Sequence, residues 1–201
     1  MMQTLVLASG NAGKLHEFND LLGGLGFNVK PQGEFDVPEA IEDGLTFIEN
    51  ALKKARNACK HSGHAALADD SGIEVDALNG APGIYSARFA GPGASDEANN
   101  QTLLEALREI PQGRRTARYQ CVLVYMRHAT DPTPIICQSS WEGEILTSPI
   151  GNGGFGYDPL FWLPEYKMTS AQLEKTEKNK ISHRGKALKL LREKLRNLPD
   201  S

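Results

Sequence analysis

The residues Ser9-Gly10-Asn11-Ala12-Gly13-Lys14 directly follow the apolar run Thr4-Leu5-Val6-Leu7-Ala8. A short buried strand that empties into a glycine-punctuated turn with a lysine at its end is suited to holding phosphate. Glycines let backbone N–H groups approach an anion, the Ser9 hydroxyl and Asn11 amide add donors, and Lys14 brings charge beside a helix N-terminus. The Walker A loop is a different arrangement, because it needs a glycine where this chain has Ala8 and a Ser or Thr where it has Leu15. The second set is Asp69-Asp70-Ser71-Gly72, expected at the end of a short strand, Ala65-Ala66-Leu67-Ala68. Adjacent carboxylates there point to opposite sides, so one faces a given cleft while the other caps or braces the turn. A carboxylate so placed suits holding Mg²⁺ or taking a proton from water, and it equally suits an Asx-turn that only caps the strand. Glu39, Glu42 and Asp43 form an acidic loop that could add a second metal ligand or simply be solvated.

Gly151-Asn152-Gly153-Gly154-Phe155-Gly156 formally matches the dinucleotide fingerprint, but Tyr157-Asp158-Pro159 follows where a helix should open. The segment reads instead as a wall for a nucleobase, with Phe155 and Tyr157 offering faces to stack on and Asp158 a carboxylate for the base edge. The alternative is a hairpin turn with core aromatics. Lys178, Ser182, His183 and Arg184 bracket the start of the last helix. Ser182 is expected as its N-cap, with His183 and Arg184 in the first turn and their donors available. Cations there oppose the helix dipole, a local cost easier to understand if an acceptor-bearing ligand binds; a solvated surface cluster is the plainer reading.

Elements must position these groups. Leu15, Phe18, Leu21 and Leu22 recur at helical spacing, and Gly23-Gly24 is expected to end that helix. Phe27-Asn28-Val29 reads as a strand, Glu34 to Gly44 as loop, and Thr46 with Glu49 as a capping box opening a helix along Phe47, Ala51, Ala55 and Ala58. Asp96 to Arg108 reads as helix. Ala117 to Met126 and Pro134 to Ile145 read as strands, the second alternating around Ile136, Gln138, Ser140 and Glu142. Ser182 to Leu198 reads as an amphipathic helix. Early strand–helix alternation followed by consecutive strands predicts an α/β fold, a mixed twisted sheet flanked by helices, in one two-lobed domain over residues 1–201.

Composition narrows the class. With 201 residues, 40% apolar, the chain is long enough for a real core, and its net charge of -3 argues against a stable nucleic-acid partner. The three cysteines lack CxxC spacing and read as reduced buried residues. No run reaches the length of a membrane span, and the start lacks a signal-peptide pattern, so the expected compartment is cytoplasmic with no membrane partner.

Taken together, these segments resemble the inosine/xanthosine triphosphate pyrophosphatase family, which hydrolyses non-standard purine nucleoside triphosphates. The resemblance runs from Leu5 to about Leu195. It rests on Ser9 to Lys14, Gly44 to Asn50, Ala68 to Gly72, Gly80-Ala81-Pro82-Gly83-Ile84-Tyr85-Ser86-Ala87-Arg88, Gly153 to Pro159 and Ser182-His183-Arg184, in the family's order. Ser9 stands where family members often carry threonine, and the hydroxyl is kept.

The resemblance implies an elongated two-lobed α/β subunit with a central substrate cleft, a homodimer, and a requirement for Mg²⁺. It implies hydrolysis of ITP, dITP or XTP to the monophosphate and pyrophosphate. Carried over by position, Ser9, Gly10, Asn11, Ala12, Gly13 and Lys14 would grip the triphosphate. Asp70 and Lys14 would be catalytic, with Ser71 touching substrate. Glu42 and Asp70 would hold the metal, while Phe155, Gly156, Tyr157, Asp158, Lys178, His183 and Arg184 would surround the base. Water would attack the α-phosphorus with Asp70 as base, and donors of His183 and Arg184 aimed at O6 would disfavour adenine. Mismatched buried polar groups can discriminate by about 10⁴ to 10⁵. Two competing readings are a non-hydrolytic purine-nucleotide-binding or sensing module, and nucleic-acid binding at Arg114, Arg115 and Arg118.

Overall fold

The first apolar run becomes strand β1 (Gln3–Leu7), with Leu5, Val6 and Leu7 fully buried, in the computed structural model, which describes residues 2–197. Helix α1 (Ala12–Leu22) follows at once. Asn11 caps it by accepting the Lys14 backbone N–H, and Phe18 and Leu22 face the core. The chain leaves the α-helix at its C-cap, Gly23, as expected from Gly23-Gly24. It tightens into a 3₁₀ turn over Gly23–Leu25 and departs at Gly26. Strand β2 (Phe27–Pro31) pairs parallel with β1, and a 3₁₀ turn at Gln32–Phe35 leads into the acidic loop. Helix α2 (Phe47–Ser62) begins where Thr46 accepts the Glu49 N–H at 3.2 Å. The Glu49 carboxylate reaches back to the Leu45 N–H at 2.8 Å, one residue before the cap itself.

Strand β3 (Ala65–Val75) pairs parallel with β1 and corrects the reading of Asp69-Asp70-Ser71-Gly72 as a turn at a strand end. The aspartates lie in the strand interior. Turn-forming side chains are a weak preference. Here β3 has β1 and the next strand as neighbours and buries Ala65 to Asp69, then Ile73 and Val75, so pairing and burial override it.

Helix α3 (Asp96–Ala106) starts at an N-cap, Ser95, and is followed by β4 (Thr116–Met126) and β5 (Ile135–Ile145). In β5 the buried positions are Cys137, Trp141 and Ile145, so the even-numbered residues of the expected alternation form the more open face. Two short strands, β6 (Phe161–Leu163) and β7 (Met168–Thr169), and the helix α4 (Lys175–Ile181) were not expected. Helix α5 (His183–Arg196) opens at Ser182, whose hydroxyl accepts the Gly185 N–H at 3.1 Å; the expected end at Leu198 lies outside the described residues. The seven strands form one sheet in the order β2-β1-β3-β4-β5-β6-β7. It is parallel at β1–β2 and β1–β3 and antiparallel at β5–β6 and β6–β7, the expected mixed sheet flanked by helices.

The chain divides into two compact units. The first holds the residues up to Asp70, Cys121–Gln138 and the chain from Ala187; its core gathers Leu5, Phe18, Leu22, Leu67, Leu123 and Leu191. The second holds Ser71–Gln120 and Ser139–Lys186, built on Ile73, Leu103, Leu107, Trp141 and Phe161. The basic patch of the competing nucleic-acid reading does not form in this second unit. Arg115 is buried and donates to the carbonyls of Leu107, Ile110 and Leu146 at 2.7, 2.8 and 3.1 Å. Arg118 is held by Asp76 and Glu142. Only Arg114 is exposed, and one such residue makes no nucleic-acid footprint.

In the first unit, the buried Asp131 carboxylate accepts the Arg127 backbone N–H and guanidinium and the Thr133 N–H. The hydrogen bonds from Arg127 hold its carboxyl well below the usual aspartate range. A depressed folded-state pKa means the stabilisation is present above the unfolded value and disappears as pH falls toward the folded one. Asp131→Asn is therefore expected to cost about 1–3 kcal/mol at neutral pH and to flatten the loss of stability below about pH 4, measured by urea unfolding across pH.

Candidate active site

The residues expected to bind phosphate assemble within the first unit. Ser9 Oγ accepts the Asn11 N–H at 3.1 Å, and Asn11 Oδ1 accepts the Lys14 N–H at 3.1 Å, so side chains shape the turn between β1 and α1. Gly10 through Gly13 are exposed at the start of an eleven-residue helix, where backbone donors and the dipole favour an anion. Lys14 does not swing in solvent. Its ammonium lies 2.9 Å from both carboxylate oxygens of the buried Asp69. Asp69 is thus the brace and Asp70, one residue on, points to the other side of the strand.

A cavity of about 280 Å³ in this unit is lined by Ser9, Gly10, Lys14, Glu39, Glu42 and Lys54, among others. Lys54, on α2, is the residue sequence reasoning passed over. Its ammonium sits 3.5 Å from Glu42 Oε1 and 3.4 Å from Asp70 Oδ1 and connects the two carboxylates expected to bind metal. The signal was faint: Lys54 follows Ala51 by three positions and precedes Ala58 by four, on the margin of an otherwise buried stripe.

The environment of Asp70 shifts its carboxyl. Burial raises its carboxyl above the ordinary aspartate value, the Lys54 ammonium opposes that shift, and the Glu42 carboxylate adds to it. Its Oδ2 is buried and, among the described residues, has no hydrogen-bond partner; the same holds for Ser71 Oγ. A buried carboxylate oxygen without a donor is a costly arrangement that a bound cation or water would relieve. Among the described residues no three His, Cys, Asp or Glu side chains gather to hold a metal unaided. Asp70 and Glu42 fit the binding mode in which one or two carboxylates hold a hard cation and substrate phosphates and water complete the shell.

The expected base-recognition residues lie in the second unit. Phe155 is 61% exposed, and Lys178 Nζ lies 4.7 Å from its ring centroid. Tyr157 is not part of an open wall. It is buried in the core, and its hydroxyl donates to the Ser86 carbonyl at 2.6 Å. Asp158 does not present its carboxylate to solvent either. It accepts from Tyr119 Oη at 3.2 Å, Ser170 Oγ at 2.7 Å, the Phe155 N–H at 2.9 Å and the Lys178 ammonium. Burial and the neighbouring Asp158 charge push the Tyr119 hydroxyl far up, so it stays a donor. Gly154 has φ +74°, and a Cβ there would fall 2.0 Å from Asp158 Oδ2, so only glycine allows the loop to close over this carboxylate.

His183 and Arg184 do not simply offer their donors. Both engage neighbours, and the buried His183 ring stacks on Tyr119 at 4.7 Å and 9° with Trp141 at 6.2 Å. Lys178 belongs to α4, and Gly185 lets α5 follow α4 closely, because a Cβ there would sit 1.8 Å from the Asn179 carbonyl.

An α/β sheet with a capped phosphate turn, a lysine-bridged pair of carboxylates and an exposed aromatic beside a lysine defines a nucleotide-handling protein. The chain belongs to the Ham1 family, whose model matches residues 5–194. It is 58% identical over 191 residues to a protein of Thioalkalivibrio sulfidiphilus named dITP/XTP pyrophosphatase, covering 95% of this chain and 97% of that one. It is 59% identical over 190 residues to the Vibrio cholerae protein of the same name, covering 94% and 95%. Among solved structures, a HAM1 protein from Coxiella burnetii superposes with a TM-score of 0.95 at 48% identity, covering 98% of this chain and all of that one. The Staphylococcus aureus Ham1 protein gives 0.89 at 39% identity, covering 96% and 98%.

Proposed function

We propose that this chain is a Mg²⁺-dependent nucleoside triphosphate pyrophosphohydrolase that converts ITP, dITP and XTP to the monophosphate and pyrophosphate, clearing non-standard purines from the nucleotide pool. The observation that carries this reading is the buried, unpartnered Oδ2 of Asp70 beside Lys54 and Glu42, in the same unit as the phosphate turn. The identity to proteins named dITP/XTP pyrophosphatase supports the substrate class.

The turn N–H groups, Ser9 and Lys14 bind the triphosphate, with Lys14 aimed by Asp69. Glu42 and Asp70 are the residues to hold Mg²⁺, which when bound neutralises phosphate charge and fixes its orientation. Asp70 accepts the proton of a water whose oxygen forms the new bond to the α-phosphorus. The bond from that phosphorus to the bridging oxygen breaks, and the pyrophosphate leaves with its charge met by Lys14 and the turn amides. Phe155 gives the purine a stacking face. Lys178, His183 and Arg184 supply donors that suit a carbonyl at the purine 6-position. Asp158 holds the Phe155 N–H and the Lys178 ammonium in place.

The working form is a homodimer in the cytoplasm. Buried thiols at Cys59, Cys121 and Cys137 favour a reducing compartment, and among the described residues no helix is long and apolar enough to cross a membrane. Light scattering at micromolar concentration gives twice the monomer mass on this reading.

A panel of ITP, dITP, XTP, GTP, ATP and dTTP, assayed for monophosphate and pyrophosphate with Mg²⁺ or with EDTA, tests the proposal. Turnover is expected for the first three, with ATP slower by about 10³ or more and no reaction in EDTA. Binding of ITP with no IMP formed would establish the sensing module instead.

A further inference from the structure

Two residues of α3 hold one glycine by both of its backbone polar groups. The Gly156 N–H donates to Asp96 Oδ2 at 2.7 Å, and Asn100 Nδ2 donates to the Gly156 carbonyl at 2.9 Å. Asp96 and Asn100 stand four apart in the first turns of the helix and so share a face. Gly156 lies at φ +59° immediately after Phe155, in a segment where Gly153, Gly154 and Gly156 give the backbone wide freedom. Such a loop does not by itself hold an exposed aromatic ring still. Phe155 is 61% exposed, with the Lys178 ammonium 4.7 Å from its ring centroid; its own N–H is taken by Asp158 and both groups of the next residue are taken by α3.

We propose that Asp96 and Asn100 are positioning residues that pre-set the Phe155 ring for stacking against the purine, acting through Gly156 and touching no substrate themselves. The inference rests on the reading of Phe155 as the nucleobase platform. Pinning the loop in advance removes an ordering cost that would otherwise fall on binding, so the effect belongs in substrate affinity and leaves the chemical step alone.

Asp96 also lies in the first turn of α3 behind the Ser95 cap, where a negative charge favours the helix dipole. The two roles separate by substitution. Asp96→Asn keeps an acceptor for the Gly156 N–H and loses the charge, whereas Asp96→Leu loses both. The test is steady-state kinetics with ITP and Mg²⁺ on the parent, Asp96→Leu, Asp96→Asn, Asn100→Leu, Phe155→Ala and the double variant Asp96→Leu/Phe155→Ala, each with its unfolding midpoint. Asp96→Leu and Asn100→Leu are expected to raise KM about tenfold with kcat within about twofold. Asp96→Asn is expected to recover most of the lost affinity. In the Phe155→Ala background, adding Asp96→Leu changes KM little, because the ring it serves is gone.

Phe155→Ala with parental KM would overturn the platform reading itself. A raised KM for Phe155→Ala together with a parental KM for Asp96→Leu overturns the clamp alone. The clamp also fails if Asp96→Asn loses as much affinity as Asp96→Leu, or if the Asp96→Leu effect is undiminished in the double variant, since either result makes Asp96 a helix-stability residue.

Discussion

Asp70→Asn is expected to lower pyrophosphate release from ITP by about 10³-fold while leaving the unfolding midpoint close to that of the parent. Asparagine matches the carboxylate in shape but can neither accept a proton from water nor offer a charge to a divalent cation. The fold has little reason to suffer, because Lys54 keeps Glu42 at 3.5 Å as a counter-charge and the Asp70 Oδ2 that is lost made no internal hydrogen bond. Removing a buried negative group that burial already disfavours relieves a cost as well. Activity is measured at saturating ITP and Mg²⁺ and stability by urea unfolding. Release at near the parental rate takes Asp70 out of the chemistry. A collapse of the unfolding midpoint makes its role structural.

The sequence made the framework legible wherever local pattern and tertiary demand agree. Leu5-Val6-Leu7 could only be a buried strand, Thr46 and Glu49 announced α2, and Ser182 announced α5. Asp69 to Gly72 shows where local chemistry misleads. Four residues that favour turns were drawn into a strand, because pairing and burial around them outweigh local preference. Strands as short as Met168–Thr169 carry too few residues to show a period, and α4 lacks a buried stripe, with no residue of Lys175–Ile181 fully buried. The site divides in the same way. The turn from Ser9 to Lys14 was readable because its shape is set by contiguous residues, through the Ser9 and Asn11 side chains. Lys54, Asp96, Asn100 and Tyr119 were not, because each matters through a partner far along the chain, and nothing local distinguishes a lysine beside Asp70 from one in solvent.

Asp158 carries the other large expected effect, and its two readings part company on stability. If its carboxylate serves the base edge directly, replacing it lowers affinity for ITP and leaves the fold alone. Its burial at 2% exposure and its four donors make it the brace of the loop. Asp158→Leu strands the Lys178 ammonium, itself only 14% exposed, together with the Phe155 N–H and the hydroxyls of Tyr119 and Ser170. Leaving a largely buried charge without its partner costs about 3–5 kcal/mol. The loss of ITP affinity follows from a Phe155 loop no longer tied down. Most of the stability penalty comes from the uncompensated ammonium, so Asp158→Leu/Lys178→Met, which removes both charges, is expected to unfold at higher urea than Asp158→Leu alone. ITP affinity stays low in the double variant, because the Phe155 N–H still lacks its acceptor and Lys178 no longer lies over the ring. A double variant no more stable than Asp158→Leu would show that the hydroxyl and N–H contacts, and not the ion pair, make Asp158 indispensable to the second unit.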